Sequence, residues 1–383
     1  MNRKLRGFAG NLETSDLWLV GSVFLLLVLG SIVVYGAGSY TDLARATPLG
    51  QHYVIAKHLF MICMGFLLML GLFHLDYHFW KKPWVNQGAL ALGLLAVGFT
   101  FLGDREIDRW IEIFGISVQP VEAAKIALVF FLSERVTSLS PERLQTWKHL
   151  GLLFALGPLP LIVMLVFQPN FGNILVVAAV TFVILLVAGV SLRKLGWFLA
   201  SLVIAGAVAV PLVRKLNNRF SEWMMGLGHG EYAHQVKQSL IGLGAGGWRG
   251  LGVGQSHNKF EFLPESHTDF VFSVLGEEWG LAGTLVVLAA IVVIAWRGYG
   301  IALGSPDPFG RIVAAGLTTC LTVYGIVNIG MVTGLFPVIG VPLPFVSFGG
   351  TAMVGNLASV GILMNIDRNS RSFHLWKRRW DRT

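Results

Sequence analysis

The chain has 383 residues, of which 54% are hydrophobic and 13% charged. A soluble domain carries about 25% charged residues, so this composition excludes an ordinary water-soluble fold. The formal charge of +8 does not point to nucleic acid, because most basic residues sit in short stretches between apolar runs, where membrane orientation accounts for them.

Apolar runs of about 20 residues recur along the whole length, and a helix of that length crosses a bilayer. Ten spans are predicted, near 17–37, 56–75, 86–102, 120–137, 149–167, 171–190, 196–213, 270–296, 311–335 and 349–366. The expected fold is all-α, a polytopic membrane protein forming one domain over residues 1–383. The first run follows Arg3, Lys4 and Arg6 as a signal peptide would, but it is long and leads straight into further spans, so a retained helix is expected. Cys63 and Cys320 fall inside apolar runs and are expected as reduced packing residues.

Eighteen of the 29 Lys and Arg lie at one set of span ends: Arg3 to Arg6, Lys81, Lys82, Arg135, Arg143, Lys148, Arg193, Lys194, Arg297, Arg311 and the tail from Arg368 to Arg382. The positive-inside rule makes those ends cytoplasmic, with both termini inside. Residues 103–119, the turn 168–170, the long loop 214–268 between spans seven and eight, and 336–348 are then extracytoplasmic.

Each outer piece runs into a helix, with Pro120, Pro169, Pro264 or Pro344 at or shortly before the entry. Pro suits a first helical turn. Four helix N-termini facing one side would favour an anion there, unless the prolines serve only as punctuation. In the first piece, Arg109 beside Trp110 is either a ligand clamp or an interfacial anchor. Glu122 and Lys125 share a helix face inside span four. Ionisable groups at membrane depth face a cavity or one another, so this pair either serves a ligand or neutralises itself.

In the long loop, "GLGAGG" (Gly242 to Gly247) matches a dinucleotide fingerprint but lacks the strand–turn–helix unit that such a site needs. It is read instead as a backbone open to close approach by a large ligand, or as a flexible loop. The loop ends in "LPESHTDFVF" (Leu263 to Phe272), which gathers Glu265, His267 and Asp269 at the mouth of span eight. This is no recognised zinc spacing. Asp269 or Thr268 caps the helix, which would lower the carboxylate pKa, or Asp269 faces a cavity, where desolvation would raise it. Glu277 and Glu278 follow two turns on, and at least one is expected to find an interior partner. The apolar stretch "FPVIGVPLPFVSFGGT" (Phe336 to Thr351) is broken by Pro and Gly. Non-helical backbone at membrane depth requires protein or a water-filled cavity around it, so a re-entrant turn is expected.

Taken together, "RW" with "QPVEAAK", "QPNFGN", "QSLIGLGAGGWRGLGVG", "FEFLPESHTDFVFSVLGEEWG" and "GVPLPFVSFGG" resemble the SEDS family of peptidoglycan glycosyltransferases, which includes FtsW and RodA. The resemblance covers nearly the whole chain and carries a ten-span topology. It implies a polymerase acting on lipid II at the outer face of the bacterial cytoplasmic membrane. It places the family's essential carboxylate on Asp269, and its conserved charged positions on Arg109, Glu122 and Lys125. Glu261 matches an acidic loop position of the division branch, and Lys259, Glu265, His267 and Ser347 complete the candidate substrate-binding set. No cofactor is demanded; a divalent cation, Mg2+ or Mn2+, is the one candidate. The implied partners are a class B penicillin-binding protein and divisome or elongasome proteins. The loop motifs and "DPFGR" favour an FtsW-like division role, whereas "NIGMVTGLFPVIGVPLPFVSFGG" resembles RodA. Transport of the lipid precursor and scaffolding of a transpeptidase are the rival functions. Two departures stand out: the family pattern QPD, followed by Thr, is replaced by Asn170 and Asn173, and QPSE reads QPVE, with Val121.

Overall fold

A computed structural model describes residues 16–38, 52–102, 109–113, 116–259 and 263–380. Helices cover all ten expected spans: α1 (Leu17–Gly38), α2 (His52–His74), α3 (Pro83–Phe99), α4 (Pro120–Ser138), α5 (Trp147–Leu156) with α6 (Pro158–Phe167), α7 (Phe171–Val187), α8 (Leu192–Leu212), α11 (Val271–Gly304), α12 (Pro308–Val332) and α13 (Thr351–Trp380). The long loop adds α9 (Arg214–His229) and α10 (His234–Gly246). A two-stranded ribbon, β1 (Ile111–Ile113) against β2 (Ile116–Val118), precedes α4. Six helices among the described residues are long and apolar enough to cross a membrane, and the α5–α6 pair makes a seventh if it counts as one span. The other three fall short of that measure for different reasons: α4 carries internal charges, α7 has 17 residues and α13 continues into the basic tail.

Span five was expected as one continuous helix. It is bent by 47° between Leu156 and Pro158. Pro158 has no N–H to continue the ladder, so the chain restarts there with Pro in the first turn of α6. The core helix is α12, whose apolar window is 83% buried, whereas that of α8 is only 6% buried and therefore stands at the periphery. Glycines set the closest crossings. A Cβ on Gly361 of α13 would sit 2.4 Å from the Met69 carbonyl of α2, so only Gly permits that approach.

The stretch after α12 is non-helical yet buried at Val341, Leu343, Phe345 and Val346. It dips into the bundle against Gly30 of α1, where an added Cβ would lie 2.6 Å from Val346 Cα. Its backbone is satisfied from inside: Asn328 Nδ2 donates to the Val341 carbonyl at 2.6 Å, and Leu343 N–H donates to Ser347 Oγ at 2.8 Å. This is the protein-lined condition under which irregular backbone persists at membrane depth.

Candidate functional site

The four outer pieces converge at one end of the bundle. Arg109 reaches from the first to the second, donating from Nε to the Gln168 carbonyl at 2.9 Å and from Nη2 to the Pro169 carbonyl at 2.6 Å. Gly172, just past that turn, packs on Val341 of the fourth piece, and a Cβ there would fall 2.2 Å from Val341 Cγ2. Asn328 ties the third to the fourth by donating to the carbonyls of both Asp269 (2.7 Å) and Val341. Phe348 N–H donates to the His267 carbonyl at 3.0 Å, and the two rings lie 5.8 Å apart. Only Pro120 occupies a first helical turn; Pro169, Pro264 and Pro344 lie in turns ahead of α7, α11 and α13.

Asp269 stands at this junction. It does not cap α11, whose N-cap is Phe270 with no side-chain cap bond. The half-buried carboxylate faces Gly340, where a Cβ would sit 3.2 Å from Oδ2. Desolvation by burial is the main cause pushing its pKa from 3.8 up to about 7; the negative Glu265 adds to this, while Arg219 and Arg109 oppose it. The two guanidinium groups also repel each other, as Arg109 shows. Glu265 is exposed, holds a left-handed φ of 60° and accepts from the Thr268 hydroxyl at 2.5 Å. Burial lowers the His267 pKa, favouring the neutral ring.

Arg219 was missed by the motif reading. It lies on α9, in a small, largely apolar cleft lined with Glu222, Trp223, Tyr232 and Phe336. The available signal was the spacing of Leu216, Phe220, Trp223, Met224 and Leu227, which marks an amphipathic helix and sets Arg219 at the edge of its apolar face.

Glu122 and Lys125 come together in a separate buried cluster. Lys125 Nζ donates to Glu122 Oε1 at 2.9 Å, to Asn173 Oδ1 at 2.8 Å and to the Tyr324 hydroxyl. Tyr324 Oη lies 3.0 Å from Glu122 Oε1 and 2.5 Å from Asn173 Oδ1. The pair thus neutralises itself and also ties α4, α7 and α12 together below the turn that Arg109 grips. No described hydrogen bond or ion pair joins it to Asp269.

The remaining candidates sit elsewhere. Ser347 is buried and folds the re-entrant segment. Lys259 is buried beside Glu278 (3.7 Å) and donates to the Gly254 carbonyl. Glu277 accepts from Ser256 Oγ at 2.5 Å and from His257 N–H at 2.9 Å, so both glutamates have partners. The glycine-rich stretch lies against α11: a Cβ on Gly246 would sit 2.0 Å from the Gly276 carbonyl, and one on Gly250 would sit 2.0 Å from the Glu278 carbonyl. The close approach that its glycines permit is therefore to the protein's own helix. Glu261 lies outside the described residues.

Among the described residues no three His, Cys, Asp or Glu side chains gather as a metal site. At the 168–170 turn, where the family pattern carries Asp, this chain presents the Asn170 amide. A divalent cation does not fit the side chains present there.

A family model described as a cell cycle protein of the FtsW, RodA and SpoVE type matches residues 17–372. Stage V sporulation protein E of Bacillus subtilis (strain 168) is 34% identical over 371 residues, covering 93% of this chain and 98% of the relative. The probable peptidoglycan glycosyltransferase FtsW of Trichlorobacter lovleyi is 32% identical over 360 residues, 92% of each chain. The peptidoglycan glycosyltransferase MrdB of Escherichia coli (strain K12) is 33% identical over 353 residues, 89% of this chain and 92% of the relative. Among solved structures, a chain of a peptidoglycan synthase complex that coordinates polymerization and crosslinking superposes with a TM-score of 0.73 at 26% identity, covering 93% of this chain and 98% of the other. The matched span and these identities, carried over nearly the full length, place this chain in the FtsW/RodA/SpoVE family.

Proposed function

We propose that the protein is a peptidoglycan glycosyltransferase that polymerises lipid II at the outer face of the cytoplasmic membrane. The observation that carries this reading is Asp269, a carboxylate that does not cap α11, set against Gly340 where the outer segments meet and within the electrostatic reach of Arg109 and Arg219. The relatives named peptidoglycan glycosyltransferase support it.

The chemistry asks for two things. The acceptor sugar's 4-hydroxyl must lose its proton as its oxygen attacks C1 of the donor. The C1–O bond to pyrophosphate must break, and the charge on the departing oxygens needs stabilising. In-line displacement converts an α-linked phosphate into a β-1,4 bond without a covalent intermediate. Asp269 takes the proton, and its elevated pKa suits a base working near neutral pH. Arg109 and Arg219 stabilise the polyprenyl pyrophosphate that leaves. Lys125 acts behind them, holding the turn that positions Arg109. On this reading the basic span ends face the cytoplasm, as the positive-inside rule expects, and this junction faces outward. A class B penicillin-binding protein is the partner this reading implies, and the loop motifs favour a role in division.

The test is polymerisation of purified lipid II by the reconstituted protein, with and without the cognate transpeptidase. Asp269→Asn should abolish glycan synthesis while leaving the protein folded. Wild-type turnover by that variant would remove the assignment. A lipid transporter would instead move lipid II across vesicles without producing glycan, and a scaffold would tolerate Asp269→Asn in cells.

A further inference from the structure

The amide of Asn170 is buried at 1% exposure, and its Nδ2 has no hydrogen-bond partner. Its orientation is fixed by a chain of obligate choices. The Lys125 ammonium can only donate, so Asn173 must turn Oδ1 toward it, at 2.8 Å. Asn173 Nδ2 then faces Asn170 and donates to its Oδ1 at 3.1 Å. That leaves Asn170 Nδ2 as a buried donor without an acceptor, a cost that buried amides normally avoid.

The surroundings of that donor are also electropositive. Asn170 is the N-cap of the 17-residue helix α7 but makes no side-chain cap bond, so the first-turn N–H groups and the positive end of the helix dipole lie beside it. The preceding carbonyls, of Gln168 and Pro169, are held by the Arg109 guanidinium. A helix N-terminus, an orphaned amide donor and a guanidinium meet within one turn, with no acidic side chain among the contacts at this turn.

We propose that Asn170 is a phosphate-binding residue, whose Nδ2 donates directly to an anionic oxygen of the lipid-linked pyrophosphate, with no bridging divalent cation. The proposal rests on the glycosyltransferase reading for the identity of the anion. Asp at this position would keep the acceptor that Asn173 needs and would replace the unpartnered donor with a negative oxygen. Asn170→Asp therefore reverses the polarity of one point while preserving the network that orients it.

The experiment measures binding of a polyprenyl pyrophosphate to the full-length protein in lipid nanodiscs, in chelated buffer and with added Mn2+, and measures glycan synthesis in parallel. The wild type should bind equally well in both buffers. Asn170→Asp should bind about ten- to a hundredfold more weakly under chelation, the effect of exchanging one charge-assisted hydrogen bond for repulsion, and Mn2+ should restore it. That restoration also shows the variant to be folded. Wild-type binding that collapses on chelation overturns the proposal whatever the variant does, and so does Asn170→Asp binding at wild-type strength in chelated buffer. If the binding difference appears but no condition yields glycan, the anion site stands and the glycosyltransferase reading falls.

Discussion

The environment of Asp269 makes a prediction about pH that a generic carboxylate would not. With a pKa of about 7, about a tenth of the molecules carry the base form one pH unit below that value, and each further unit removes another factor of ten. The kcat/KM for lipid II should therefore rise with unit slope on a logarithmic plot from about pH 5.5 and level off above about pH 7.5. An Asp near its ordinary value of 3.8 would give a flat profile over that range. Neighbouring charges shift the midpoint in opposite senses. Glu265→Gln removes the like charge and should move it down. Arg219→Gln removes an opposing charge and should move it up. Glu265 is exposed, so its effect is that of a solvent-screened pair, about 1 kcal/mol or less, or below ~0.7 of a pH unit, and smaller in high salt. The assay is initial-rate polymerisation of a fluorescent lipid II across pH, for wild type and both variants. A wild-type profile flat between pH 5.5 and 8, or an upward shift in Glu265→Gln, would refute the reasoning.

The same shift bears on stability. Asp269 has a folded pKa above its unfolded one, so the folded state gains protons that the unfolded state lacks between those values, and stability falls as pH rises through about 7. Asp269→Asn should raise the thermal unfolding midpoint at pH 8, by an energy bounded at about 4 kcal/mol, and should leave it unchanged near pH 4; light-scattering melts in detergent at the two pH values check this. Lys125→Met leaves Glu122 buried without its counter-ion and should cost about 3–5 kcal/mol, whereas Lys125→Met with Glu122→Gln should recover much of that loss. Gly250 has a φ of 78° and lies against the Glu278 carbonyl, so Gly250→Ala should destabilise the loop by at least about 1 kcal/mol and make the 247–259 segment more accessible to protease.

Patterns carried by composition and period were legible in the sequence. Apolar run length located the long helices, and the Pro and Gly breaks in 336–348 identified a segment that could not be an ordinary helix. What escaped was whatever depends on which surfaces meet. The glycines of 242–250 signalled close approach, but only the fold shows that α11 is what approaches. The choice between a capping and a cavity-facing Asp269 turned on where α11 begins, a matter of one or two residues that propensity does not resolve. Arg219 carries no motif at all, because its relation to Asp269 arises from the docking of α9 over the junction.

The departure at Asn170 shows how a single residue acquires meaning from a network. Read alone, Asn for Asp is the loss of a charge. In the fold, Lys125 fixes Asn173, and Asn173 fixes Asn170, so the substitution turns an acceptor into a donor at a defined place. The cluster that pairs Lys125 with Glu122 at membrane depth thereby also sets the polarity of the turn that Arg109 grips. Perturbing the cluster should therefore be felt at the turn before it is felt as unfolding. Tyr324→Phe removes one hydroxyl from the shell of Lys125 while leaving Glu122 and Asn173 in place. It should weaken polyprenyl pyrophosphate binding more than it lowers the melting midpoint. A loss of stability without a loss of binding would mean that the cluster serves packing alone.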